Sequence, residues 1–195
     1  MGDNRKIVAI ASSTGGPRAL QTLVSSLPGD LGVPVLIVQH MPVGFTEALG
    51  KRLNSISALD VAEAVDGEPV LPNKVYLARG GTHMNVDYRA GRHVIRFSDE
   101  GTREGVKPCA NYMYESLANC QYSEVICAVL TGMGADGTQG IGNLIRSKKV
   151  FVIAQNAESC AVFGMPKSAL RAGIVDKELT LNLIATEITM KVRQR

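Results

Sequence analysis

A serine, a histidine and an aspartate each stand within a few residues of the end of a short apolar run. They are Ser13, His40 and Asp136, and each lies in a stretch of small or polar residues. A serine hydroxyl becomes a strong nucleophile when a neighbouring imidazole takes its proton. A carboxylate then orients the imidazole and stabilises its charged form. These residue types therefore predict acyl-transfer hydrolysis if the fold brings them together.

The apolar runs before these residues have the length of buried strands, and helical patterns follow them. They occupy residues 7–11, 34–38, 125–130 and 150–154. Leu20, Leu23, Val24 and Leu27 then have the spacing of one helix face. This alternation predicts an α/β fold: a doubly wound, mostly parallel sheet with helices on both faces. Because ligands sit at the carboxyl ends of such strands, the three residues are expected at one edge.

The middle of the chain, from residue 60 to residue 98, has a different pattern. Its apolar runs are shorter and are separated by glycines, which predicts antiparallel hairpin strands, either at one edge of the sheet or as a short excursion from it. The runs concerned are 74–78, 84–87 and 93–97. We expect His83, which follows Gly80 and Gly81, near a loop edge where it is a candidate contact for substrate. His93 is expected to face solvent.

Composition narrows the classes of protein. The 195 residues are 45% apolar and carry a formal net charge of +3, and there is no tryptophan. With no long basic run and few aromatic residues, nucleic-acid binding is not expected. The four cysteines and three histidines lack zinc-ligand spacing, so reduced thiols and no metal are predicted.

The same patterns predict a simple domain organisation. We expect residues 1–6 to be a leader or linker remnant and residues 7–195 to form a single domain. No run has the length of a membrane span and none resembles a signal peptide. A cytoplasmic protein without membrane insertion is therefore expected.

The residue types alone leave other readings open. Ser13 to Gly16 before a helix is also a pattern that cradles an anion, although a P-loop lysine and a dinucleotide fingerprint are both missing. The serine and Asp136 also suit helix caps or turns. A phosphate-binding module and a catalytically inactive interaction domain thus remain alternatives to a hydrolase.

Five segments together resemble the catalytic domain of the CheB family of chemotaxis receptor methylesterases and glutamine deamidases. They are spread over nearly the whole chain in the family's order. The segments are IASSTGGP (10–17), QHMPVGF (39–45), VDGEPVLP (65–72), LTGMGADG (130–137) and IAQNAESCAVFGM (153–165).

The resemblance implies a serine hydrolase that releases methanol from glutamate methyl esters of chemoreceptors and deamidates receptor glutamines. It places the nucleophile on Ser13, the base on His40 and the orienting carboxylate on Asp136, with Thr14 and Met133 as oxyanion or near-site residues. No metal or cofactor is implied. The partners it implies are the cytoplasmic helices of methyl-accepting receptors and, in full-length relatives, a receiver domain and a chemotaxis histidine kinase. No receiver domain is expected in this sequence.

One departure from the family pattern concerns the residues before the nucleophile. The family has glycine and alanine there, whereas this chain has Ala11 and Ser12. Two adjacent serines leave open which one attacks. Ser13 is preferred because it directly precedes the Thr-Gly-Gly stretch, as in the family.

Overall fold

The protein, described here by a computed structural model over residues 5–194, forms nine β-strands and six α-helices within that range. The strands are β1 (Lys6–Ser12), β2 (Val35–Gln39), β3 (Asp60–Glu63), β4 (Lys74–Leu77), β5 (His83–Arg89), β6 (Arg92–Ser98), β7 (Glu124–Val129), β8 (Lys149–Gln155) and β9 (Lys177–Leu179). The helices are α1 (Gly16–Ser25), α2 (Thr46–Asn54), α3 (Ala110–Ser116), α4 (Thr138–Ile145), α5 (Met165–Arg171) and α6 (Leu181–Arg193).

Seven of these strands form one sheet in the order β3-β4-β2-β1-β7-β8-β9. All its pairings are parallel, which confirms the doubly wound α/β prediction. The chain runs outward from β1 on one side and later returns to build the other side from β7. The loops after β1 and β7 therefore leave in opposite directions, and the crevice between them is where ligands bind in such sheets.

The predicted hairpin is also present, with one correction. β5 and β6 form a separate antiparallel pair, as expected from the middle of the chain. Residues 74–78 were wrongly assigned to this excursion, because β4 is a strand of the central sheet. Its Val75, Tyr76 and Leu77 are fully buried, the pattern of a strand covered on both faces.

Side chains of β1 alternate between two cores, one on each face of the sheet. Ile7, Ala9 and Ala11 pack with α3, α4, α5 and the hairpin. Val8 and Ile10 pack on the opposite face with α1, α2 and α6. Helices on both faces exclude water from the sheet, so polar chemistry is confined to its edges.

Helix α1 follows β1, at the place where apolar residues with helical spacing predicted a helix. Leu20, Leu23 and Val24 are buried within the helix, as predicted, and each contributes roughly 1.5–3 kcal/mol by leaving water. Leu27, the fourth residue of the predicted face, is also buried but lies beyond the end of the helix at Ser25. Gly15 turns the chain from β1 into α1 with φ of 81°. A β-carbon is disfavoured at that φ, so glycine permits the tight turn.

The predicted leader covers residues 1–6, of which residues 1–4 lie outside the described residues. Lys6 is the first residue of β1 and is buried. Its Nζ lies 3.2 Å from Glu124 Oε2 and donates to the carbonyl oxygens of Lys191 and Gln194. Lys6 is thus tied to both β7 and the end of α6.

Cysteine pairing, metal ligation and membrane crossing have recognisable structural signs. All four cysteines are free thiols, and all but Cys160 are buried. Among residues 5–194, no three His, Cys, Asp or Glu side chains cluster as a metal site would require. Over the same range, no helix combines the length and apolarity needed to cross a membrane.

Candidate active site

The parallel register of β1 and β2 brings Ser13 and His40 to the same edge. Ser12 is paired with Gln39, so the next residue of each strand leaves the sheet side by side. The His40 N–H donates to the Ser12 carbonyl oxygen at 3.1 Å. Gln39 Nε2 donates to the carbonyl oxygens of Ser13 at 3.0 Å and His40 at 3.1 Å. One buried amide thus fixes the backbone of both residues.

The two adjacent serines have different environments. Ser12 is fully buried, and its hydroxyl donates to Gln39 Oε1 at 2.7 Å. Ser13 is partly exposed, and among residues 5–194 its hydroxyl has no hydrogen-bond partner. Of the two serines, Ser13 is therefore the one whose hydroxyl is accessible and uncommitted.

His40 and Asp136 form a short, nearly water-free pair. His40 Nε2 lies 2.6 Å from Asp136 Oδ2, and the side chains are 10% and 2% exposed. This bond leaves Nδ1 as the ring nitrogen that can take a proton from Ser13. In chymotrypsin-type triads the assignment is reversed: Nδ1 bonds the carboxylate and Nε2 takes the proton from the serine.

Three further donors surround the Asp136 carboxylate. The backbone N–H groups of Ala110 and Asn111 donate to it at 2.6 and 2.9 Å, and Cys109 Sγ donates at 3.0 Å. Burial alone would raise the pKa of Asp136, but the hydrogen bonds from His40, Cys109 and these backbone groups outweigh it and lower that pKa. The carboxylate is therefore ionised at neutral pH and can stabilise a charged imidazole.

Two backbone N–H groups near Ser13 are available to a developing oxyanion. In the part of the chain that the structure describes, neither the Thr14 nor the Met133 N–H donates a hydrogen bond. Thr14 precedes the N-terminus of α1, and Met133 follows Gly132, which packs on Ser13. Unpaired donors of this kind are what an oxyanion hole requires.

Gly132 provides a test of how closely Ser13 must be placed. A β-carbon there would lie 2.7 Å from Ser13 Cβ and would also collide with Met165 Sδ. We expect Gly132→Ala to displace Ser13 and to lower kcat of the predicted acyl-transfer hydrolysis about 100-fold, since small misplacements of a nucleophile have large effects. Gly142→Ala is the matched control, because a β-carbon there meets nothing within 4 Å. Steady-state kinetics that show equal kcat for both variants would contradict this placement.

A cleft of about 250 Å³ opens beside the imidazole. It is lined by His40, Met41, Pro42, Val106 and Lys107. Larger cavities exist, including one of about 350 Å³ beside Lys6, but that one lies at the opposite ends of the strands. Another cavity, of about 420 Å³, lies at the same edge as the smaller cleft and is lined by Gly15 and Thr131, whereas His40 itself lines the smaller cleft.

The expectations for the other two histidines were wrong. His83 is fully buried rather than at a loop edge, because hydrogen bonds to Gly101 and Cys109 occupy both ring nitrogens. His93 is 7% exposed rather than facing solvent, because its ring stacks on Tyr122 with centroids 4.0 Å apart.

Sequence patterns did not reveal three residues of the site. Gln39 was visible only as a polar residue at a strand end. Cys109 was visible only as one of four reduced thiols, and no pattern singled out Asn111. The Asn111 side chain accepts from the N–H groups of Gly137 and Gly140, so it fixes the loop that carries Asp136.

Comparison with known sequences supplies a family for this arrangement. The model of one family, described as CheB methylesterase, matches residues 8–188. A protein-glutamate methylesterase/protein-glutamine glutaminase of Geobacillus kaustophilus (strain HTA426) is 44% identical over 186 residues, covering 95% of this chain and 53% of that protein. A protein of the same name from Bacillus subtilis (strain 168) is 42% identical over 193 residues, covering 99% and 54%. The chain thus spans about half the length of the curated relatives it matches.

A solved structure resembles the whole fold. The crystal structure of the Thermotoga maritima CheB methylesterase catalytic domain matches with a TM-score of 0.93 at 39% sequence identity. The match covers 97% of this chain and 100% of that one. The seven-stranded sheet and its helices are therefore shared with that domain.

Proposed function

This chain belongs to the CheB methylesterase family, and on that premise we propose that it removes methyl esters from glutamate residues of bacterial chemoreceptors. It is a serine hydrolase that also deamidates receptor glutamines. The observation that carries the proposal is the buried 2.6 Å pair of His40 and Asp136 beside the unpaired Ser13 hydroxyl. A phosphate-binding module has no need for such a pair.

We assign the acylation step to Ser13 and His40, which follow neighbouring strands at one edge of the sheet. His40 Nδ1 takes the proton as Ser13 Oγ bonds to the ester carbonyl carbon, and the carbonyl electrons move to oxygen. The N–H groups of Thr14 and Met133 donate to this oxyanion. When the carbonyl re-forms, the bond to the methoxy oxygen breaks and the imidazolium protonates it to methanol. Asp136 stays ionised throughout and stabilises the imidazolium.

Deacylation repeats these steps with water. His40 takes one proton from the water as it attacks the acyl-serine, and that proton then passes to Ser13 Oγ as the bond to the acyl carbon breaks. The glutamic acid side chain that is released gives its remaining proton to solvent and becomes a carboxylate. Deamidation follows the same path with ammonia in place of methanol. The route requires no metal and no organic cofactor.

The surface around the site suits a helical protein substrate. Val43, Phe45 and Met133 are 66%, 60% and 75% exposed, on the loops that follow β2 and β7. We call these three side chains the rim surface. Exposed apolar side chains on loops at the edge that carries the site are typical of a surface for a protein partner. A receptor helix would present the ester to Ser13 and its apolar side chains to the rim surface.

Truncation of the rim surface separates receptor docking from chemistry. We expect the double variant Phe45→Ala, Met133→Ala to raise KM for a methylated receptor fragment about 30-fold, since anchors of this type contribute roughly 1 kcal/mol or more each. The kcat for a small methyl ester should stay within about twofold. Met190→Ala is the control, an exposed methionine on α6. Equal KM values for the double variant and the control would remove the rim surface from the proposal.

Mass spectrometry of a receptor fragment tests the proposed function. A cytoplasmic receptor fragment with methylated glutamates and unmodified glutamines is incubated with the protein. The masses of its proteolytic peptides are then measured at successive times. Loss of methyl groups with matching methanol release supports the esterase, and conversion of glutamine to glutamate supports the deamidase. Neither change with folded protein would favour a binding module.

The remaining assignments extend the same proposal. We propose that residues 7–195 act as one catalytic domain, that the protein works in the cytoplasm, and that the receptors' cytoplasmic helices are its partners. In full-length relatives we propose a receiver domain and a chemotaxis histidine kinase as further partners; those relatives are about twice as long as the matched region, which leaves room for another domain.

A further inference from the structure

A second histidine is built into the support of the site. His83 begins β5, is fully buried, and uses both of its ring nitrogens. Nδ1 accepts from the Cys109 backbone N–H at 3.1 Å, and Nε2 lies 3.1 Å from the Gly101 carbonyl oxygen. Since a carbonyl only accepts, Nε2 carries the proton and the imidazole is neutral. Its ring also packs on Tyr112, with centroids 4.6 Å apart.

Cys109 links this histidine to the catalytic carboxylate. Its backbone N–H is held by His83, while its thiol donates to Asp136 Oδ1 at 3.0 Å. Burial and the neighbouring Asp136 raise the pKa of the thiol to about 12, so it stays protonated and remains a donor. The next two backbone N–H groups, of Ala110 and Asn111, donate to the same carboxylate.

We infer that His83 and Cys109 are positioning residues that fix Asp136, and through it His40, in the geometry for catalysis. A single peptide segment, residues 109–111, supplies three of the four donors to Asp136. His83 anchors the start of that segment to the hairpin and to the loop containing Gly101. Loss of the anchor lets the segment shift, and Asp136 Oδ2 then moves away from His40 Nε2.

The expected loss of kcat rests on the proposed function. The expected change in the His40–Asp136 hydrogen bond does not. A residue that only adds stability would change the amount of folded protein and leave kcat per folded molecule unchanged. A positioning residue lowers kcat and leaves KM nearly unchanged, because it does not touch substrate. It also alters the His40–Asp136 hydrogen bond in the resting protein, whatever the enzyme acts on.

Two matched pairs of variants test the inference. Cys109→Ala removes the thiol donor and Cys109→Ser keeps a donor in its place. His83→Leu removes the acceptor for the Cys109 N–H, and His83→Asn retains an oxygen near the position of Nδ1. Each folded variant is compared with wild type by kcat and KM for a methylated receptor fragment. The ring-proton resonance of His40 is followed by NMR in protein with labelled histidine.

We expect Cys109→Ala and His83→Leu to lower kcat roughly tenfold or more, with KM within about twofold, and to shift the His40 ring proton. Cys109→Ser should restore kcat to within about threefold of wild type, by the same positioning argument. If His83→Leu does not fold, the cysteine pair alone decides. Unchanged kcat and an unchanged His40 resonance in Cys109→Ala would overturn the inference.

The His40 ring-proton resonance does not depend on receptor hydrolysis. It can therefore test this inference even if the proposed function is wrong. If wild type hydrolyses no receptor ester, the function is wrong, and the His40 resonance still decides whether residues 83 and 109 position the pair. A shift in Cys109→Ala that Cys109→Ser reverses would support the inference. No shift would overturn it.

Discussion

Replacing Ser13 with alanine is expected to slow methanol release from a methylated receptor fragment by about 10⁴-fold or more, the scale at which other triads lose kcat. The hydroxyl is the proposed nucleophile, and the neighbouring Ser12 cannot replace it, because Ser12 is fully buried and its hydroxyl donates to Gln39. KM is expected to change little, since the serine contributes mainly to the transition state. The measurement is kcat from methanol release at saturating fragment.

Ser12→Ala is the matched control, one residue earlier in the chain. It leaves Gln39 Oε1 without its hydroxyl donor, which costs about 1–3 kcal/mol of unfolding free energy. We expect its kcat to stay within about tenfold of wild type, because Gln39 Nε2 still holds the Ser13 carbonyl. A large loss of kcat in Ser12→Ala with little loss in Ser13→Ala would move the nucleophile by one residue and contradict the proposed mechanism.

Replacing Asp136 with asparagine is expected to lower kcat about 10⁴-fold, as in other triads where an amide replaces the carboxylate. The four groups that donate to Asp136 need acceptors, and an asparagine side chain offers one oxygen and a competing N–H₂. The imidazolium also loses its neighbouring negative charge. Asp30→Asn is the control, since Asp30 is exposed and its ion pair with Arg193 lies on the surface. Equal kcat for the two variants would exclude Asp136 from the mechanism.

Asp136→Asn is also expected to change how the free energy of unfolding depends on pH. Because the pKa of Asp136 is lowered in the folded state, the ionised carboxylate stabilises the fold above its unfolded-state pKa. That contribution disappears as the pH falls through the lowered folded-state pKa. Denaturant unfolding of wild type and Asp136→Asn should therefore differ at neutral pH and converge in acid. A difference that grows with acidity would contradict the direction of the shift.

The sequence predicted that three candidate residues would lie at one edge of the sheet. Continuous apolar runs predicted parallel strands, and the carboxyl ends of parallel strands meet, so Ser13, His40 and Asp136 were expected at that edge. The buried face of α1 could also be predicted, because its apolar residues have helical periodicity. Short strands were harder to predict: β3 and β9 have four and three residues and are largely exposed or half-buried. Runs this short carry little periodicity.

The details that make the site work depend on contacts between distant residues. Which of the two serines is buried follows from the register of Ser12 against Gln39, and no local pattern sets that register. The ring nitrogen that His40 directs to Asp136 depends on the path of a loop from another strand. The burial of His83 arises because the segment before α3 packs over β5, and its flanking glycines indicated a turn instead. Such features require the folded chain.

Labelling with a fluorophosphonate, followed by mass spectrometric mapping of the modified peptide, tests the central claim most directly. The probe forms a covalent bond only with an activated serine, and tandem spectra distinguish Ser13 from Ser12. The proposed mechanism predicts one adduct on Ser13 in wild type and in Ser12→Ala, none in Ser13→Ala, and much slower labelling in Asp136→Asn. An adduct on another residue, or no adduct in protein that releases methanol from receptor fragments, would contradict Ser13 as the nucleophile.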